Sequence, residues 1–207
     1  MKFAFVFSLL LLFPQENFTQ FDFCRDSSAG LYESQCVRLD PAGAGEIRFK
    51  RRGIDEVRLA LVLSPQAKER FIAVLAGTNF LAGAANYESK KKVANLGLKR
   101  LTLEMPSGRR EAQFNYSELK EVDLLVKFFD AILNQETMVF DLDNAIQFER
   151  LSIPKRLDDL EQNLKSNRLA DPERLITVLD KIEKDQRVMN YARTHAKKLK
   201  EEVTPLK

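Results

Sequence analysis

The chain has no tryptophan, one histidine and two cysteines among its 207 residues. Each scarcity removes a class of chemistry. A zinc site of the His-Glu-x-x-His kind needs two histidines on one helix face, and a nucleophile needs a base beside it. The lone His195 lies in a charged C-terminal stretch and reads as a surface residue. The sequence also lacks Gly-x-Ser-x-Gly, a phosphate-binding glycine loop and a dinucleotide fingerprint. No catalytic, cofactor-binding or metal-binding residue is assigned from it. Charge of one sign is lacking too: Lys plus Arg is 33, Asp plus Glu is 30, and the net charge is +3. That balance argues against a nucleic-acid partner.

Long hydrophobic runs are absent as well. The longest, Phe3 to Phe13, follows Lys2 and stops at Pro14. It is too short to span a bilayer, which takes about 20 apolar residues, and its length suits the apolar region of a secretory signal. The expected organisation is a signal peptide over 1–20 and a secreted or periplasmic protein without a membrane attachment after signal removal. In an oxidising compartment paired cysteines close. Cys24 and Cys36 flank a flexible Ser-Ser-Ala-Gly stretch, and a disulfide between them is the expectation, two free thiols being the alternative. Residues 21–45 read as an irregular lead-in carrying this bond.

Regular structure is expected from 46 to 150. Ile47 and Phe49 alternate with Arg48 and Lys50, and Val57, Leu59, Leu61 and Leu63 line one face, so the two segments read as an antiparallel hairpin. Ser64-Pro65 opens a helix with an N-cap and a proline at the first turn, and Ala67, Phe71, Val74 and Leu75 give it a buried stripe. Thr78 to Asn95 reads as a long loop. Leu101, Leu103 and Met105, then Ala112, Phe114 and Tyr116, form a second hairpin around Pro106-Ser107-Gly108. From Leu119 to Phe148 the period is helical, with Asp141-Leu-Asp143-Asn expected to break it. Residues 154–203 form a helical C-terminal region, with Asp171-Pro172 expected to cap one of its helices. The fold class is α+β: a small antiparallel sheet of about four strands packed on helices, with a C-terminal helical arm.

Among polar groupings, Glu136, Asp141 and Asp143 are candidates for acid–base or calcium chemistry, but the calcium-loop pattern fails and a helix break explains the pair more simply. Basic runs at 50–52, 90–92, 99–100 and 109–110 suit either an anion-binding face or the solvated side of a sheet. Two Asn-x-Ser/Thr sequons, at Asn17 and Asn115, matter only where secreted proteins are glycosylated.

The order of segments from 46 to 135 resembles the emfourin family, small inhibitors of thermolysin-like metalloproteases. The resemblance rests on "IRFKRRG", "VRLALVL", "PQAKERFIAVLAGTNF", "RLTLEMPSGRREAQFNY" and "VDLLVKFFDAIL". Gly53-Ile54 stands where the family has a double glycine, and no inhibitory residue is carried over. The expected function is a binding protein without catalysis, with a protein partner that could be a protease, and the inhibitor activity implied by the resemblance is the alternative. The expected contact residues are Tyr87, Lys90, Lys91, Lys92, Ser107, Arg109 and Arg110.

Overall fold

A computed structural model describes residues 18–27, 31–53, 55–83 and 86–204. Most of the expected leader, and the sequon at Asn17, lie outside the described residues. Residues 18–20 belong to the folded body: Phe18 is buried against Phe71, and Gln20 opens the first strand.

The fold is α+β, but the sheet has six strands, not four. They are β1 (Gln20–Asp26), β2 (Tyr32–Leu39), β3 (Ala44–Arg51), β4 (Val57–Val62), β5 (Leu98–Met105) and β6 (Gly108–Phe114). All neighbours are antiparallel, in the order β4-β3-β2-β1-β5-β6. The two additional strands come from the segment read as irregular, and they form the middle of the sheet. Phe21 and Phe23 on β1, and Gln35, Val37 and Leu39 on β2, point inward at alternate positions. Cys24 sits directly opposite Cys36, with the Cα atoms 4.1 Å apart and the sulfurs at bonding distance. The bond therefore joins two central strands on the outer face instead of closing an irregular loop. Gly45 of β3 admits a close approach, because a Cβ there would lie 1.9 Å from the Arg38 carbonyl oxygen.

Five helices follow in the described residues: α1 (Pro65–Gly77), α2 (Lys120–Phe148), α3 (Ile153–Lys165), α4 (Leu175–Lys184) and α5 (Asn190–Val203). The Ser64 hydroxyl accepts from the Ala67 N–H and caps α1. Helices α1 and α2 cover the inner sheet face. Phe129 of α2 stacks on Phe23 and Phe21 at ring separations of 5.0 and 5.4 Å, and Phe71 of α1 meets Phe21 at 5.8 Å. Each fully buried ring contributes about 1.5–3 kcal/mol by area.

The expected break at 141–144 does not occur, and α2 runs unbroken for 29 residues. Its aspartates need no helix end because each finds a cation on a neighbouring element. Asp141 accepts from Arg51 at 2.8 Å, and Asp143 from Lys181 at 2.8 Å. The last turns of α2 enter a second hydrophobic core. Leu142 and Ala145 pack there with Leu157, Leu160, Leu179 and Leu199 of the C-terminal helices. Asp171 precedes a 3-10 turn, Pro172–Arg174, and does not cap it. Its carboxylate accepts from the Ser64 N–H at 2.7 Å instead. Among the described residues, no helix is long and apolar enough to cross a membrane.

Candidate interaction surface

The long loop after α1 divides into an anchor and a ridge. The anchor begins where the Thr78 hydroxyl donates to the Leu75 carbonyl at 2.7 Å. Phe80 is buried, and Tyr87 inserts between Phe80 and Phe114 at ring separations of 6.1 and 5.8 Å. The Tyr87 hydroxyl donates to the Thr78 carbonyl at 2.9 Å, and burial pushes its phenol above the usual range. Tyr87, expected on the contact surface, is 3% exposed and holds the loop in place. Arg110 works in the same way. Its guanidinium donates to the Phe80 and Leu81 carbonyls and draws the loop over the edge of β6.

The ridge, residues 88–97, is braced against the segment that leads into α2. The Ser89 N–H donates to the Tyr116 carbonyl at 2.8 Å, and the Glu88 carboxylate accepts from the Asn115 N–H at 2.6 Å. Glu118 accepts from the Ser89 hydroxyl at 2.8 Å and pairs with Lys91, which holds Glu118 below the usual carboxylate range. The Asn115 side chain spans the far end, accepting from the Leu96 N–H at 2.7 Å and donating to the Ala94 carbonyl at 3.0 Å. The second sequon thus contains a working clamp, and its Ser117 is buried. Lys99 supports the same corner from beneath, donating to the carbonyls of Leu96, Gly97 and Asn115 at 3.3, 3.1 and 2.7 Å. Its burial lowers its pKa. Gly97 has φ of +87°, and an added Cβ would lie 2.8 Å from the Asp26 carbonyl.

What the ridge displays differs from the expectation. Lys90 and Lys92 are exposed and have no carboxylate partner among the described residues, whereas Lys91 is tied to Glu118. The ridge also exposes two apolar side chains outside the expected contact set, Val93 and Leu96 (54% exposed), and at the start of α2 Leu119 (49% exposed) and Leu124 are exposed as well. The signal for Val93 and Leu96 in the sequence is "KKKVANLG", apolar residues in a stretch whose composition makes it look merely solvated.

Ser107 and Arg109 belong to another place. They sit at the β5–β6 turn, where Met105 pairs with Gly108, while the ridge abuts the opposite end, where Lys99 pairs with Phe114. Six residues of strand separate the two ends, about 20 Å at the usual rise. Arg109 is also neutralised, by Glu104 at 3.4 Å and by Glu111. The seven expected contact residues therefore do not form one surface.

Of the other basic runs, Lys50 and Arg100 meet carboxylates on the outer face of the sheet, as do Arg38 and Arg48, whereas Arg51 turns to Asp141 of α2. Arg38 lies between Asp22 and Glu46, at 2.8 and 3.6 Å; Arg48 meets Glu46 at 3.3 Å, Lys50 meets Glu33 at 3.2 Å, and Arg100 meets Asp26 at 2.9 Å. The face is a lattice of alternating signs around the disulfide. The carboxylates considered for catalysis do not converge: Glu136 faces Arg174, Asp141 faces Arg51 and Arg156, and Asp143 faces Lys181. Among the described residues, no three His, Cys, Asp or Glu side chains are grouped to hold a metal ion. A groove of about 500 Å³ lies where Ser64, Gln66 and Arg70 approach 164–173 and the end of α5. Its polar groups include Asp171, which accepts from the Ser64 N–H, and Arg70, which donates to the Ala170 carbonyl at 3.0 Å.

His195 is not the surface residue expected. Its side chain is only 9% exposed, and its Nε2 lies 3.2 Å from a Glu161 oxygen, between α5 and α3. No protein-family model matches the chain, and no curated protein matches it.

Proposed function

We propose that this chain is an exported, non-catalytic binding protein, secreted or periplasmic, that presents residues 88–97 to a protein partner. The observation that carries the proposal is a ridge fixed at both ends by side-chain hydrogen bonds while exposing Val93, Leu96, Lys90 and Lys92. A segment ordered before contact loses little conformational freedom on binding, so its surface is available for affinity. Support for export comes from the apolar run behind Lys2 and from the Cys24–Cys36 pair. Because Phe18 packs in the core, a leader consistent with this fold ends ahead of it.

A second reading, inhibition of a metalloprotease in the emfourin manner, draws on the same rigidity, since a loop held in an extended form is what a catalytic cleft accepts. One experiment addresses both. The chain is expressed with its leader, recovered from the exported fraction and mixed with secreted proteases, thermolysin-like enzymes included. Intact mass is read before and after reduction with alkylation. Loss of a leader ending before Phe18, with alkylation only after reduction, supports export and the disulfide. Stoichiometric inhibition of one metalloprotease moves the second reading to first. An uncleaved, retained chain with two free thiols sinks the exported framework.

A further inference from the structure

We infer that the groove between the start of α1 and the end of α5 binds a primary alkylammonium group, carried by a small aliphatic amine or by a lysine side chain. The site goes beyond the ridge and does not depend on it. The groove meets the first turn of α1, whereas the anchored loop leaves the last one, about 20 Å away at the usual helical rise. The observation that carries the inference is Asp171, which is 1% exposed and lines the groove. Its Oδ2 accepts from the Ser64 N–H at 2.7 Å, but its Oδ1 is buried and accepts from no donor among the described residues. No other buried carboxylate oxygen among them is left in that state. A carboxylate only accepts, and a buried acceptor without a donor is costly, so this oxygen calls for a donor from outside the chain.

The lining selects the kind of donor. Its charged residues are Asp171, Glu173, Glu202 and Arg70, three acidic against one basic, in a chain whose net charge is +3. The cations close by are committed elsewhere. Arg70 donates to the Ala170 carbonyl at 3.0 Å and lies over the Phe128 ring. Arg174 holds Glu136 and the Val62 carbonyl, and Lys165 is bonded to Glu161. A recess lined mainly by one sign gathers the opposite ion. Ala67, Leu164, Leu169 and Val203 give the groove apolar walls, and no aromatic ring lines it for a sugar or a base to stack on. An ammonium brings three donors on a hydrocarbon stem and so matches both the oxygen and the walls. Gln66 also lines the groove, is exposed and makes no hydrogen bond among the described residues, so its side chain is free to turn aside for the head group.

The test adds pentylamine, its neutral counterpart pentanol, and acetyl-lysine amide to the full chain at fixed pH and follows backbone amide resonances. The expected result is saturable shifts confined to 64–70, 164–173 and 199–204 with pentylamine, half-saturated at about millimolar or below and weakening as salt rises. Pentanol should bind about tenfold more weakly, as the loss of a charged hydrogen bond requires. Asp171→Asn should bring the same loss. Because Asp171 also receives the Ser64 N–H, Glu202→Gln serves as the second variant. Glu202 is exposed, so the melting curve should not change while amine binding weakens about twofold to fivefold. Acetyl-lysine amide separates the two sources: binding as tight as that of pentylamine assigns the site to a lysine side chain, and weaker binding assigns it to a free amine. Pentanol binding as tightly as pentylamine, shifts outside the groove, or a folded Asp171→Asn chain that binds pentylamine unchanged each overturn the inference. So does the absence of any shift, which leaves water as the donor to Asp171. None of these outcomes touches the ridge, so the binding-protein reading stands or falls separately.

Discussion

Arg174 grips Glu136 with two parallel contacts, Nε to Oε1 at 2.7 Å and Nη2 to Oε2 at 2.8 Å, and Glu136 is only 2% exposed. The pair lies where the two hydrophobic cores meet. The other terminal nitrogen of Arg174 donates to the Val62 carbonyl at the end of β4. Next door, the Gln135 side chain accepts from the Asp171 N–H at 2.9 Å, and Asp171 accepts from Ser64. These residues fasten the C-terminal helices to the sheet. Arg174→Ala or Glu136→Ala leaves a buried charge unmatched, at an expected cost of about 3–5 kcal/mol in urea unfolding. The double replacement Glu136→Leu/Arg174→Met should recover most of the loss. A double variant as unstable as either single one would show that the polar junction itself is required.

Removing the clamp at Asn115 should loosen the ridge without unfolding the sheet. Asn115→Ala loses the acceptor for the Leu96 N–H and the donor to the Ala94 carbonyl, for about 1–3 kcal/mol. Hydrogen exchange should accelerate at Leu96 and stay unchanged at Leu101 and Leu103 in the sheet interior. Acceleration at all three would mean that the clamp supports the whole sheet.

The disulfide joins strands that already pair along their full length, so its loss should be tolerated. Cys24→Ser/Cys36→Ser should fold, with stability lowered by no more than about 3 kcal/mol, the loop-entropy value for a closure of this size. The check is a urea melt of the variant beside the oxidised parent. Failure of the variant to fold would show that the bond sets the β1–β2 register.

Acid should act first on the C-terminal helices. Hydrogen bonds from Lys165 and Lys198 hold the Glu161 carboxyl down to about 2, from an ordinary 4.5, and Arg187 holds Asp185 down to about 2, from 3.8. A carboxylate whose folded pKa is depressed contributes stability above its unfolded value and loses it as pH falls through the folded one. The contribution is therefore intact above about pH 4.5 and disappears towards pH 2. Methyl resonances of Leu199 and Val203 should broaden in that window, and Glu161→Gln should remove part of the dependence. Broadening that begins in the sheet core would contradict this order.

Patterns whose cause is local are legible in the sequence. The Ser64-Pro65 start of α1, the β3–β4 hairpin and the β5–β6 hairpin all follow from alternation, capping and turn chemistry between near neighbours in the chain. What is not legible depends on distant partners. Phe21 and Phe23 alternate as a strand should, but the cysteine and the Ser-Ser-Ala-Gly stretch behind them suggest a loop. Asp141 and Asp143 look like a helix break because Arg51 and Lys181, which satisfy them, are far away in sequence. Tyr87 and His195 look exposed because each lies among polar neighbours and is buried only by other elements. The ridge residues Val93 and Leu96 escape notice for the opposite reason, since nothing in their spacing marks them as unburied.

The strand order sets the timetable of folding. Central β1 has β2 on one flank, reached through a short connection, and β5 on the other, where Gln20 pairs with Glu104 and Asp26 with Leu98. The first four strands can form a meander as soon as they are made, but that meander has a raw margin along β1, next to Phe21 and Phe23. It stays open until the β5–β6 hairpin has formed and docked. Closing so distant a pairing is slow, because most of the loop entropy is lost before any contact compensates it. The half-built sheet is thus the species most prone to self-association during synthesis and refolding.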